Sequence, residues 1–258
     1  MKVCVLGSSS AGNCTYVASG RTAVLVDAGL SGRETGKRLA EIGVATDSIS
    51  AICLTHEHGD HTSGLAALSR AGRISLYANS GTAEGMAAKP GAAPLPWNIF
   101  SNGSPFQVGD MVIEPFSVPH DAYDPVGFVI RCDEVRVGVV TDMGMVTGLI
   151  RERLRPCNVL VIESNHDERM LKDADRPWHL KQRIIGRQGH LSNDHAAELV
   201  AEIGGAHLRM VFLAHLSGDC NRPELALMAV TESLTKRGLT HVRVDVAPPD
   251  RVSSVWEG

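Results

Sequence analysis

Residues 54–64 read LTHEHGDHTSG and place His56, His58, Asp60 and His61 within six positions, directly after the apolar run AICL. Imidazole nitrogens and carboxylate oxygens are the donors that zinc, manganese and iron accept. Two histidines spaced i and i+2 on an extended segment point the same way, so His56 and His58 can grip one cation. Asp60 and His61 then turn towards a neighbouring one. A solvated loop rich in histidine accounts for the composition but not for the H-x-H-x-D-H spacing. Four donors do not complete two sites, and the rest of the chain has to supply more. His120 in FSVPHDAYDP, Asp142 in VGVVTDMG and His215 in VFLAHLSGD each follow an apolar run, as His56 does. Strand ends are where α/β folds gather their chemistry. The expectation is a set of seven metal ligands: His56, His58, Asp60, His61, His120, Asp142 and His215.

Such a set needs a scaffold that ends many strands at one edge. Short β-branched or apolar runs occur at Val3–Leu6, Thr15–Ala18, Ala23–Asp27, Ala51–Leu54, Ile74–Tyr77, Met111–Val118, Gly127–Arg131, Arg136–Val140, Val159–Ile162, Met210–Ala214 and Val242–Val246. Between several of them lie helical patterns with start signals. Ser31 with Glu34 three residues on predicts a capping box, and Ser192 opens a second helix less cleanly. The early strands follow one another through short turns, whereas the later ones alternate with helices, which predicts a layered α/β fold with sheets only partly parallel. Residues 87–105, AAKPGAAPLPWNIFSNGSP, carry four prolines and two glycines and suit a surface loop without regular structure. That stretch divides the chain too unevenly to be a domain boundary, so residues 1–258 are expected to form one domain.

Composition excludes little. The 258 residues are 43% hydrophobic with a formal charge of −4, ordinary for a globular protein and no sign of a polyanion-binding protein as a whole. The six cysteines (Cys4, Cys14, Cys53, Cys132, Cys157 and Cys220) are irregularly spaced with no C-x-x-C pair, and read as small buried apolar residues. The opening MKVCVLGSSS has too short an apolar run for a signal peptide, and no segment approaches the roughly 20 apolar residues of a membrane span. A reduced, cytoplasmic protein with no membrane partner is expected.

With VDAG at Val26–Gly29, THEHGDH at Thr55–His61, and then His120, Asp142 and His215 in this order, the sequence resembles the metallo-β-lactamase superfamily over nearly its whole length. That resemblance implies an α/β fold, a four-layer αββα sandwich, with a two-metal site along one edge. By the family pattern His56, His58 and His120 hold the first ion, Asp60, His61 and His215 the second, and Asp142 bridges both. Asp27 resembles the aspartate that braces the ligand loop. The bridging position is not cysteine, unlike in the antibiotic-hydrolysing lactamases, and Asp142 and His215 lie too close in sequence for the inserted domain of the long RNA-processing members. Further words, LGSSSAGNC, ESNHD, PWHLKQRI, GHLSN and HLSGDCNRPELA, are similar to the YycJ/WalJ group, small cytoplasmic bacterial members regarded as DNA-directed exonucleases. His190, before Leu-Ser, matches a position where related tRNA-processing members keep a catalytic histidine.

The function this implies is a dinuclear metal-dependent hydrolase, a phosphodiesterase or exonuclease acting on DNA or RNA. Two divalent ions, Zn²⁺ or Mn²⁺ with Fe also compatible, lower the pKa of a shared water from near 16 to about 7 and neutralise phosphate oxygens. Asp60, as a ligand, and His190, as proton donor to the leaving oxygen, are the expected catalytic residues. Gly7–Asn13, GSSSAGN, reads either as a phosphate cradle or as a tight hairpin turn. Arg176 to His190 contains Arg176, Lys181, Arg183 and Arg187 and no acid, beside Trp178; it reads either as a strand-binding surface or as a solvated helix face. His166, His179 and His195 receive no role, and His207 and His241 are taken as structural or surface residues. Two rivals use the same residues: a glyoxalase-II-like thioester hydrolase, disfavoured by the short tail after His215, and a non-catalytic metal-binding scaffold, disfavoured by the complete ligand set.

Overall fold

In the runs Ala51–Cys53 and Val159–Glu163 every residue is buried. A strand achieves this only when both faces of its sheet are covered. The computed structural model, which describes residues 1–70 and 74–258, shows what covers them. The first sheet is built from β1 (Lys2–Gly7), β2 (Cys14–Ala18), β3 (Ala23–Val26), β4 (Ala51–Cys53), β5 (Ser75–Asn79) and β6 (Trp97–Phe100). The second contains β7 (Phe106–Val108), β8 (Met111–Ser117), β9 (Val126–Cys132), β10 (Val135–Val140), β11 (Val159–Glu163), β12 (Met210–Ala214) and β13 (Arg243–Val246), while β14 (Trp256–Glu257) returns to pair with β1. Strand order is β14-β1-β2-β3-β4-β5-β6 in one sheet and β13-β12-β11-β10-β9-β8-β7 in the other.

The two-residue side-chain period sorts each strand between layers. Val3 and Val5 of β1, Val24 and Val26 of β3, Val159 and Val161 of β11 and Phe212 of β12 meet in the layer between the sheets. Their neighbours Cys4, Leu6 and Leu25 face outward under α1 (Gly32–Glu41), α2 (Gly59–Thr62), α3 (Leu65–Ser69) and α4 (Ser80–Ala87). Leu160, Ile162, Val211 and Leu213 face the opposite way. There the covering helices are α5 (Gly148–Leu154), α8 (Asn193–Ile203) and α9 (Pro223–Lys236); α6 (Glu168–Asp173) and α7 (Trp178–Ile185) lie in the stretch between β11 and α8. The result is the αββα sandwich expected from the resemblance. All six cysteines are buried free thiols within it, and among the described residues no helix is long and apolar enough to cross a membrane.

Each sheet is antiparallel on one side and parallel on the other. β3 to β6 run parallel in the first sheet, and β10 to β13 in the second. The carboxyl ends of β3, β4, β10, β11 and β12 therefore come to one edge, carrying Asp27, the His56–His61 loop, Asp142, Glu163 and His215.

Several details correct the sequence reading. The segment 87–105 is not without regular structure: Trp97–Phe100 pairs parallel with β5 as Leu76↔Trp97 to Asn79↔Phe100. This edge strand takes its order from backbone pairing with β5, and its two central side chains are exposed, so no hydrophobic alternation marks it. β7 and β14 were likewise missed because strands of three and two residues are too short to show a period. The strand expected at Ile74–Tyr77 runs from Ser75 to Asn79. Ser31 does cap α1 by accepting from the Glu34 N–H at 3.2 Å, but the Glu34 carboxylate turns to Arg38 at 2.8 Å, so the reciprocal half of the capping box is replaced by an ion pair.

Candidate metal centre

Among the described residues four other than glycine have a positive φ, and three of them sit at this edge: Asp27 (63°), Asp142 (54°) and His215 (55°). Left-handed backbone is uncommon for such residues and concentrates at functional sites. Each turns the chain sharply off its strand, so the side chain projects over the strand end. On the first sheet the same edge carries the His56–His61 loop. His58 begins α2, and that single turn delivers Asp60 and His61.

All seven predicted ligands converge. His56, His58 and His120 offer ligand atoms within 4.8 Å of one another, as do Asp60, His61 and His215, while His56, His61 and Asp142 form a third such group that links the first two. The rings of His56, His58 and His120 make a triangle with centroids 4.6 to 5.2 Å apart. His190 stands outside both histidine groups, its ring 5.3 Å from His120 and 5.2 Å from His215.

What aims these rings is a layer of acceptors behind them. His61 Nδ1 lies 2.7 Å from Asp27 Oδ2, His215 Nδ1 2.9 Å from Glu163 Oε1, His120 Nδ1 3.1 Å from the Gly189 carbonyl and His56 Nδ1 2.9 Å from Thr55 Oγ1. Fixing Nδ1 in this way turns Nε2 inward as the free lone pair, the usual arrangement behind a metal-bound histidine. The buried Nε2 atoms of His56, His120 and His215 and Oδ2 of Asp142 indeed have no hydrogen-bond partner. A buried polar atom without a partner costs about 1–3 kcal/mol, and four at one place mark a site that a cation would satisfy.

Charge agrees with this fit. Burial pushes the His56 imidazole well below its ordinary value, and the neighbouring His61 adds to the push, so His56 offers a neutral nitrogen. For Asp142 burial alone would favour the protonated form, but His215 and His61 override it and hold the carboxyl well below the usual range. Burial opposes the imidazolium at His61 and His215 as well, but Asp27 and Asp142 hold His61, and Asp142, Asp60 and Glu163 hold His215, above the ordinary value, His215 at about 10; a divalent ion, which takes neutral imidazole and ionised carboxylate, would displace those protons on binding.

Glu163 is the functional residue that sequence reasoning passed over. Fully buried, it accepts through Oε1 from His215 at 2.9 Å and from His190 at 2.8 Å, and through Oε2 from the N–H groups of Met143 at 2.9 Å and Leu191 at 3.1 Å. One carboxylate thereby ties the loop after Asp142, the His215 ring and the His190 segment together. Burial would raise its pKa, yet the His190 charge and the two imidazole hydrogen bonds bring it down to about 2. His190 in turn is held above its ordinary pKa: burial opposes the imidazolium, and the Glu163 carboxylate outweighs it. A signal existed, because Glu163 ends the run VLVI just as Asp142 and His215 end theirs.

The Gly7–Asn13 segment is the connection of the β1–β2 hairpin. It also anchors the ligands. Ser8 Oγ accepts from the His215 N–H at 2.7 Å, and Asn13 receives and gives backbone bonds to Gly29 and Asp60 at 2.9 and 2.7 Å. A Cβ at Gly29 would collide with the Asp60 carbonyl, so the glycine of VDAG lets the ligand loop dock. Asp27 also accepts from the Thr55 N–H at 2.9 Å, bracing that loop as expected. Of the histidines left without a role, His166 is buried with an unpartnered Nδ1, His195 contacts the Ser192 hydroxyl at 3.1 Å, His179 is exposed on α7, and His207 contacts the Arg155 carbonyl.

A cavity of about 280 Å³ opens onto this edge, lined by His58, Asp60, His120, Asp142, His190 and His215 on its floor and by Ser10, Arg176, Leu180 and Arg183 among its walls. Two mixed sheets packed face to face, helices outside and a histidine–aspartate cluster on one strand-end edge define the metallo-β-lactamase type of fold. The family profile described as Beta-lactamase superfamily domain matches residues 22–215. The chain belongs to the beta-lactamase superfamily, in the family that contains the YycJ and WalJ proteins. It is 37% identical to exodeoxyribonuclease YycJ of Bacillus anthracis over 235 residues, 91% of this chain and 89% of that one. To exodeoxyribonuclease WalJ of Streptococcus pneumoniae it is 35% identical over 241 residues, 92% and 90% of the two chains. The metallo-beta-lactamase fold protein YhfI of Bacillus subtilis superposes with a TM-score of 0.74 at 18% identity over 99% of both chains, a likeness of fold.

Proposed function

We propose that the chain is a metal-dependent phosphodiesterase with exonuclease action on DNA, using two divalent ions. His56, His58 and His120 would hold one ion and Asp60, His61 and His215 the other, with Asp142 between them. Zinc or manganese suits these donors, and iron is compatible with them. Divalent ions bound there supply Lewis-acid activation of water at neutral pH. The names of the YycJ and WalJ relatives supply the polymer, DNA.

The observation that carries the reading is His190. Its side chain faces the cavity, is 25% exposed, and holds its Nδ1 at 2.8 Å from the buried Glu163 carboxylate. That pairing raises the pKa of the ring and favours the imidazolium, whose Nε2–H would face the substrate. Cleaving a nucleotide linkage expels a sugar alkoxide, a poor leaving group that gains from a proton delivered in the transition state. A thioester expels a thiolate, which departs without one. A protonated histidine at the cavity wall therefore favours phosphodiester chemistry, with His190 donating the proton and Glu163 orienting it.

The test is a substrate panel on anaerobically purified, metal-reconstituted protein: 5′-phosphorylated and unphosphorylated single-stranded DNA, RNA, bis(p-nitrophenyl) phosphate and a glutathione thioester. Shortening of DNA from an end and hydrolysis of the phosphate dye are expected. Robust thioester turnover with inert DNA would overturn the proposal.

A further inference from the structure

Helix α7 forms a wall of the cavity that the ligand set leaves unexplained. None of its residues is buried. Trp178 is 64% exposed and Ile185 55%. An isolated helix of eight residues is unstable in water, so tertiary contacts hold this one in place. Two of them are ion pairs at its ends. Just before the helix, Arg176 Nη2 meets Asp219 Oδ2 at 2.6 Å, and near its far end Arg183 places Nε and Nη2 at 2.9 and 2.6 Å from Asp121 Oδ2.

The positions of those carboxylates matter. Asp121 directly follows His120, a residue of one candidate ligand group, and Asp219 lies four residues beyond His215, a residue of the other. α7 thus spans the cavity from one ligand group to the other, with a guanidinium at each end lining the rim. Two non-helical steps and five helical ones separate the arginines by at most about 14 Å along the chain, the order of two nucleotide steps. Between Arg176 and His190 there is no acidic residue. Partly exposed ion pairs of this kind add little to stability, so moving either guanidinium from its carboxylate to a phosphate costs little. Trp178 lies outside the cavity lining, at the Arg176 end of the helix, and an exposed indole next to a phosphate track is what sequence-tolerant binders of unpaired bases use.

Resting on the phosphodiesterase reading, we infer that α7 is the strand guide of this site: Arg176 and Arg183 take the backbone phosphates on either side of the scissile one, and Trp178 stacks an unpaired base beyond Arg176. The strand end that enters the cavity is then unpaired over several nucleotides. Asp121 and Asp219 are the partners that the phosphates displace.

The displacement gives a test by sign. Binding of 5′-fluorescein single-stranded DNA of 2 to 12 nucleotides is followed by anisotropy, with indole fluorescence alongside, on the full chain in chelator so that no cleavage intervenes. Trp178→Ala is expected to weaken the longer oligonucleotides about tenfold and to abolish most of the fluorescence response. Arg176→Gln and Arg183→Gln should each weaken binding and lower the salt slope by about 0.7. Asp121→Asn and Asp219→Asn should instead tighten it about two- to fivefold by freeing the guanidiniums. Glu202→Gln, which releases Arg151 and Arg155 elsewhere on the surface, should leave affinity unchanged. If the pairs only brace the helix, the aspartate and arginine variants weaken binding together, and the inference is overturned. It is overturned equally if Glu202→Gln tightens binding as much as the aspartate variants do, or if Trp178→Ala and the arginine variants bind like the unmodified chain. An unmodified chain that binds no oligonucleotide of any length would defeat both this inference and the nuclease reading, whereas cleavage with unaltered variant binding would defeat this inference alone.

Discussion

Replacing Glu163 by glutamine changes one atom and should cost much of the site's stability. The carboxylate accepts four hydrogen bonds, two per oxygen. Glutamine offers one acceptor oxygen and an NH₂ group, so in either orientation two of the four donors face another donor. If the amide nitrogen takes the Oε1 position, the rings of His190 and His215 are stranded; if it takes Oε2, the N–H groups of Met143 and Leu191 are. Each buried donor left unpaired costs about 1–3 kcal/mol, and breaking a buried charge pair costs about 3–5. Both routes give about 4 kcal/mol. At roughly 2–4 °C per kcal/mol for a chain of this size, melting in chelator should fall by about 8–16 °C. The same variant should slow phosphodiester turnover, and in a double-mutant cycle with His190→Ala the two kinetic losses should be less than additive, because part of what Glu163 does passes through His190. Calorimetry and single-turnover rates measure both. A melting point within about 3 °C of the unmodified chain would refute the assignment of Glu163 as the common anchor, and strict additivity would refute its action through His190.

His190→Ala should retain both ions yet slow cleavage of an ordinary nucleotide linkage by about 10²-fold or more, while bis(p-nitrophenyl) phosphate, whose leaving group departs unprotonated, loses far less; equal slowing of both would reassign His190 to structure or binding. Asp60→Ala should reduce the metal content of reconstituted protein from two ions to one and abolish turnover while far-ultraviolet circular dichroism stays nearly unchanged, because Asp60 sits on the single turn α2 at the strand-end edge, outside the hydrophobic cores; turnover near the unmodified rate would remove the two-metal scheme. Asp110 links the β2–β3 turn to the β7–β8 turn through Ser19 at 2.8 Å and Arg21 at 3.4 Å, and the hydroxyls of Thr22 and Ser19 with the Arg21 guanidinium hold its carboxyl down to about 2 from an ordinary 3.8. A depressed folded value means stability present above the ordinary pKa and lost as pH falls through the folded one. Asp110→Asn should therefore lower the melting point by about 2–4 °C at pH 6, and that difference should close between about pH 4 and pH 2; an equal deficit at pH 2 would show that charge is not its source.

The ligand residues were legible because metal chemistry restricts residue type and spacing at once. H-x-H-x-D-H needs no partner elsewhere in the chain to be visible, and His120, Asp142 and His215 declared themselves by following apolar runs. The strands that form the two sheets were legible for a related reason: a strand covered on both faces must be apolar throughout, and Val3–Leu6 or Val159–Ile162 is a local property. Trp97–Phe100 was illegible, since its order comes from the β5 backbone and its exposed side chains leave no period.

The candidate donors and most of the strands were thus readable from sequence alone, because both follow from side-chain chemistry and local periodicity. Tertiary structure decided everything that depends on two distant segments meeting. Nothing local says that Glu163 lies under both His190 and His215, that Ser8 caps the His215 N–H across 207 positions, or that Arg176 and Arg183 find carboxylates on opposite sides of one cavity. Those contacts exist because two half-parallel sheets stack with their strand ends on the same edge, and a single sequence records the strands but not the stacking.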